Sequence, residues 1–146
     1  MQRVTLICVG KLKEKFYAEA AAEYVKRLSR CCKLTLIELP EERLPENPSP
    51  AQVEAALEKE AAAIRGKLPG SSSLIALCVE GRERSSQDLA HLMETLASRG
   101  ESQLAFLIGG SFGLHGSIKA QAAERLSMSP MTFPHHLARV MLLEQI

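Results

Sequence analysis

Four short and almost uninterrupted apolar runs constrain this chain more than any other feature: Val4–Val9, Leu34–Leu39, Leu74–Val79 and Leu104–Ile108. A strand with one face in water alternates apolar and polar residues, whereas continuous runs of this length belong to strands covered on both faces, as in parallel sheets. A fifth run, roughly Leu126–Phe133, is interrupted by Pro130. Proline has no N–H to donate to a ladder, so this run reads as an edge strand or a loop.

Helical patterns lie between the runs. Lys13 to Arg30 places Phe16, Ala20, Ala21, Tyr24, Val25 and Leu28 at steps of three and four, which predicts an amphipathic helix. Ser49-Pro50-Ala51-Gln52 combines an N-cap serine, a proline at the first helical position and a glutamine three residues after the cap. The alanine-rich helix it opens is expected to run to Arg65 and end at Gly66. Ser85 and Asp88 stand in the same capping relation, and Gly100 is the expected stop. Pro134 opens a last helix with Leu137, Val140, Met141 and Leu143 turned at least partly inward. Strands alternating with helices predict an α/β fold with a mainly parallel sheet and flanking helices.

In such a sheet, ligands bind beyond the carboxyl ends of the strands. Three exits therefore matter: Glu80-Gly81, the glycine-rich Leu107–Gly116, and Ser127–Pro134. The proline-rich 38–50 segment, "ELPEERLPENPSP", reads as an exposed loop with polyproline character. Residues 1–146 read as one domain.

Composition narrows the function classes. No apolar run approaches the roughly 20 residues of a membrane span, and the first ten residues are too short for a signal peptide, so a cytoplasmic protein is expected. Cys8, Cys31, Cys32 and Cys78 form no C-x-x-C pair, which argues against zinc and a disulfide framework. Asp88 is the only aspartate, so magnesium chemistry built on paired Asp ligands has little to use, and no metal is expected. Charge is uneven: residues 1–33 hold eight Lys and Arg against three Glu, and residues 34–65 hold three against seven. The basic section suits either phosphate contacts or a solvated helix face.

"LIGGSFGLHG", 107–116, contains G-x-S-x-G, the pattern of a hydrolase nucleophile elbow centred on Ser111. An elbow needs a helix immediately after the serine, yet two more glycines follow and helical residues resume only at Ile118. G-x-G-x-x-G and the P-loop pattern are both absent. What remains is a glycine loop at one strand exit and "LSMSPMTFPHH" at another. Their main-chain groups can grip a planar heterocycle while apolar side chains pack its faces.

Taken in order and spacing, "VGKLKEKFYAEAAAEYVKRL", "LIGGSFGLHG" and "MTFPHHLARVMLLEQI" resemble the RlmH type of SPOUT-class methyltransferases across essentially the whole chain. That resemblance implies methyl transfer from S-adenosylmethionine to N3 of a pseudouridine in 23S ribosomal RNA within the ribosome. It also implies a homodimer with a C-terminal trefoil knot. It assigns cofactor binding to Leu77, Gly109, Met128, Ser129, Pro130, Met131, Thr132 and Phe133. Residue chemistry adds that His135 or Arg139, one helical turn apart, acts near the target, with Arg139 stabilising negative charge on the base or holding a phosphate. An ion pair of Arg139 with Glu144 is the structural alternative. Family members usually continue about a dozen residues beyond the "EQI" step, and this chain stops at Ile146. A dimeric cofactor- or RNA-binding protein without catalysis is therefore the competing expectation, with a serine hydrolase at Ser111 more remote.

Overall fold

A computed structural model describes residues 2–70, 72–99, 103–129 and 131–146. Its strands are β1 (Arg3–Val9), β2 (Lys33–Leu39), β3 (Ser73–Glu83), β4 (Gln103–Ile108) and β5 (Glu124–Ser127). They form one sheet in the order β2-β1-β4-β3-β5, with every ladder parallel. Helices α1 (Lys15–Leu28), α2 (Pro50–Lys67), α3 (Ser86–Ser98), α4 (Gly116–Gln121) and α5 (His135–Gln145) flank it. The α/β class read from the apolar runs is the observed one.

Alternation along the central strands splits the core into two layers. Val4, Leu6 and Cys8 of β1 and Leu104, Phe106 and Ile108 of β4 face a layer closed by α1, α3 and α5. Ile7 and Val9, with Ala105 and Leu107, face the other layer, closed by Ala61 and Ile64 of α2 and Ile118 of α4. Phe106, Leu6, Ile7 and Ile75 retain no exposed surface. Each such side chain contributes about 1.5–3 kcal/mol on leaving water.

Both anticipated capping boxes form. Ser49 Oγ accepts from Gln52 N–H at 3.2 Å while Gln52 Oε1 accepts from Ser49 N–H at 2.8 Å. Ser85 and Asp88 repeat the exchange at 3.0 and 3.3 Å. The expected stop of α3, Gly100, lies outside the described residues, and α2 continues past Gly66 to Lys67.

Four expectations need correction. β2 is an edge strand, and Leu36 on it is 37% exposed, so its apolar run is not covered on both faces. β5 is shorter than its run and ends at Ser127, because the chain turns away at Met128 before reaching Pro134. Phe16 lies on the outer side of α1 and is 64% exposed. Finally, Glu80 and Gly81 lie within β3. That strand continues to Glu83 through a register shift, Leu77 and Arg82 both pairing with Leu126. Its second half pairs only with the edge strand β5, so it needs no apolar face and is inconspicuous in the sequence.

Gly81 is required at this bulge. A Cβ there would stand 2.7 Å from the Arg125 carbonyl carbon and oxygen, which are backbone and cannot swing aside. Gly81→Ala should therefore push β5 from β3 and lower unfolding stability by about 1–3 kcal/mol in urea titrations. Gly66→Ala in α2, where a Cβ meets nothing within 4 Å, is the control and should raise stability by up to about 1 kcal/mol.

Candidate active site

Because β4, β3 and β5 are neighbours, their carboxyl ends stand side by side. The segments leaving β4 and β5, together with Leu77–Glu80 inside β3, enclose a cavity of about 670 Å³. This lies within the range of small-molecule sites, roughly 300–1,000 Å³. Leu77, Gly109, Met128, Ser129, Met131, Thr132 and Phe133 all line it. Pro130 lies outside the described residues. Thus residues from three regions of the sequence, chosen as cofactor ligands, share one wall system.

The glycine loop after β4 folds back on itself. Gly113 N–H donates to the Gly110 carbonyl at 3.1 Å, and Gly113 has φ +81, which a side chain would strain. A Cβ on Gly109 would lie 2.5 Å from the Gly113 carbonyl carbon. The tight return of the loop therefore explains the glycine at Gly109 without invoking the ligand. Ser111 donates its backbone N–H to Glu41 Oε1 at 2.6 Å. Among the described residues no histidine hydrogen-bonds its hydroxyl. His115 instead caps α4, accepting from Ser117 N–H at 3.1 Å, while its other ring nitrogen pairs with Glu54 at 2.5 Å. With His115 as its N-cap, α4 begins at Gly116, two residues earlier than read from the sequence. The G-x-S-x-G match thus lacks the hydrogen-bonded base of a nucleophile elbow.

His135, the first residue of α5, lines the cavity. Burial lowers its pKa, and the charges of His136 and Arg139 act in the same direction; Glu41 and Glu14 oppose them. The ring therefore stays neutral across more of the physiological range than a free histidine and can accept a proton. Cys78 also lines the cavity, but burial and then Glu80 push its thiol up, which leaves little thiolate.

Arg139 stands elsewhere. It is 1% exposed, donates to Glu38 Oε2 at 2.5 Å and to the Gly10 carbonyl at 2.8 Å, and does not line the cavity. Its carboxylate partner is Glu38 on β2, not Glu144. Beside it, burial raises the Cys8 thiol to about 12, partly offset by the Arg139 charge. Burial alone would also raise the Glu38 carboxyl, but hydrogen bonds from Arg139 and the Leu12 N–H hold it below the usual range. Nothing in the spacing of Glu38 or Glu41 pointed to this region, since their partners lie 101 and 70 residues away.

A family model described as "Predicted SPOUT methyltransferase" matches residues 2–146. The chain belongs to the SPOUT methyltransferase family. A protein of Bacillus cytotoxicus named ribosomal RNA large subunit methyltransferase H is 46% identical over 143 residues, covering 98% of this chain and 90% of the relative. Proteins of the same name from Bacillus thuringiensis and Bacillus anthracis are 45% identical with the same coverage. This SPOUT protein is accordingly a methyltransferase, and membership implies S-adenosylmethionine as donor. The residues present fit such a group. Leu77, Ile108 and Phe133 offer apolar walls for a purine, and the glycine loop and the segment after β5 offer main-chain edges. Among the described residues no group of three His, Cys, Asp or Glu side chains is placed to hold a metal ion. Nor is any helix long and apolar enough to cross a membrane.

The Arg139–Glu38 pair yields a pH prediction. Removing one partner of a buried pair strands the other charge, so Arg139→Met should cost about 3 kcal/mol, moderated because Glu38 is 35% exposed. Glu38 has a depressed pKa, so its contribution is complete above the ordinary carboxylate value of about 4.3 and is lost as pH falls below it. Urea titrations of wild type and variant between pH 7 and 3 should therefore converge toward acid.

Proposed function

We propose that this chain transfers a methyl group from S-adenosylmethionine to N3 of a pseudouridine in 23S ribosomal RNA within the ribosome, acting as a homodimer. The relatives named for large-subunit ribosomal RNA support the substrate. The observation that carries the reading is the convergence of the middle of β3 and the exits of β4 and β5 on one cavity with His135 on its wall.

S-adenosylmethionine, when bound, supplies an electrophilic methyl group on a sulfonium. The chain's own residues bind, orient and move a proton. Leu77, Gly109, Met128–Ser129 and Met131–Phe133 form the binding walls, with Pro130 assigned to the same loop by the family likeness. Fixing the acceptor ring against these walls removes much of the entropic part of the barrier. N3 of the target carries a proton, and neutral His135 accepts it at a ring nitrogen, which leaves the ring the better nucleophile. Arg139 serves from beneath α5: its bonds to Glu38 and Gly10 set where the first turn of the helix, and so His135, stands.

Calorimetry with S-adenosylmethionine should show saturable binding that Ser111→Ala leaves nearly unchanged and Gly109→Val abolishes. The reverse pattern would return attention to a serine hydrolase. Ribosomes from a strain lacking the endogenous enzyme should be methylated by the wild type. His135→Ala should be slower by about 10²–10⁴-fold, the usual contribution of a general base. Cofactor binding without any ribosomal methylation by the wild type would instead identify a binding protein.

A further inference from the structure

The proline-rich segment after β2 is anchored beside the site. Gly10 N–H donates to the Leu39 carbonyl at 2.6 Å, and Glu42 N–H donates to Oε2 of the buried Glu60 on α2 at 2.9 Å. Between these anchors, Glu41 points at two elements of the cavity. Its Oε1 accepts from Ser111 N–H at 2.6 Å and lies so close to Gly110 that a Cβ there would come within 2.5 Å of it. Its Oε2 would stand 3.8 Å from a Cβ placed on Gly10, and the same point is 3.3 Å from His135 Cε1 and 3.8 Å from His135 Nδ1. The carboxylate and the imidazole therefore both border the space beside Gly10 that its missing side chain would fill.

We propose that Glu41 is a positioning residue for methyl transfer: one carboxylate oxygen holds the glycine loop at Ser111 while the other lies with the His135 ring beside Gly10. One side chain then sets both the cofactor loop and the proton acceptor. This rests on the role proposed for His135. The charged groups that act on His135 are His136 and Arg139 on its own helix, Glu14 before α1, and Glu41 after β2. Two of the four are cationic or become so, which disfavours the imidazolium that forms when His135 takes a proton. Glu41 and Glu14 oppose this, and Glu14 is already paired with His136 at 3.5 Å. That leaves Glu41 as the carboxylate able to steady the protonated ring.

The test uses Glu41→Gln and Glu41→Ala in the full chain, with circular dichroism to verify folding. Glutamine keeps an oxygen for the Ser111 N–H but loses the charge. Glu41→Gln should bind S-adenosylmethionine within about twofold of wild type. Glu41→Ala should bind about tenfold more weakly, the loss of one hydrogen bond to a charged group. In both variants the His135 proton-NMR titration, assigned with His135→Gln, should move to lower pH. The acid limb of the methylation rate should follow it while kcat falls and KM for ribosomes stays. A His135 titration that coincides with wild type in both variants overturns the proposal, as does unchanged cofactor affinity in Glu41→Ala. Binding and titration need no RNA, so failure of the wild type to methylate ribosomes would refute the proposed substrate and leave these two measurements to decide Glu41.

Discussion

One guanidinium ties the layers of this protein together. Arg139 is the largest fully buried side chain among the described residues, and it lies at the junction of β1, β2 and α5. Its bonds to Glu38 and to the Gly10 carbonyl hold the carboxyl ends of two strands against the first turns of the last helix. Its Nε–H finds no acceptor among the described residues, so the burial is not fully compensated. A buried pair of this kind contributes little net stability against an apolar substitute. Its effect is geometric: α5 has one seat, and His135 at its start has one position beside the cavity.

The cavity follows from strand order. β3 lies between β4 and β5 in the sheet although it precedes both in the chain, and it leaves its partner β4 after Ala76. Residues Cys78 to Gly81 then bulge between two pairings with β5. This separation opens the wall on which Leu77 and Cys78 lie. Opposite, the glycine loop is kept narrow by the Gly110–Gly113 contact and held from outside by Glu41. The Lys119–Glu80 pair sits at the rim, where the hydrogen bond from Lys119 is the main reason that the Glu80 carboxyl stays low. Methyl transfer suits such a site, since it asks chiefly for alignment and for one proton acceptor.

The sequence was legible where a local rule had only one solution. Capping boxes at Ser49 and Ser85 form as their residue types require, because the bonds span three residues and ask nothing of the rest of the fold. The four apolar runs marked four strands. Burial on both faces, however, depends on a neighbour, and β2 has one only on the β1 side. The polar half of β3 was missed for the same reason. At Gly109 the group that leaves no room for a side chain is the backbone of Gly113, which no local pattern announces.

By itself, the sequence determined the α/β class, the parallel sheet, the capped starts of α2 and α3, and two strand exits, after β4 and β5, that line the cavity. Its three motifs also carried the likeness to SPOUT methyltransferases. These rest on periodicity, capping and motif order, which are properties of neighbours along the chain. Only the tertiary structure decided that Arg139 is buried against Glu38, that Ser111 offers its N–H to Glu41, and that Glu41 reaches from β2 to the glycine loop. Those contacts join residues 70 or more positions apart. No local pattern encodes such pairs, because they exist only once the sheet has set its strand order and closed the helices over it.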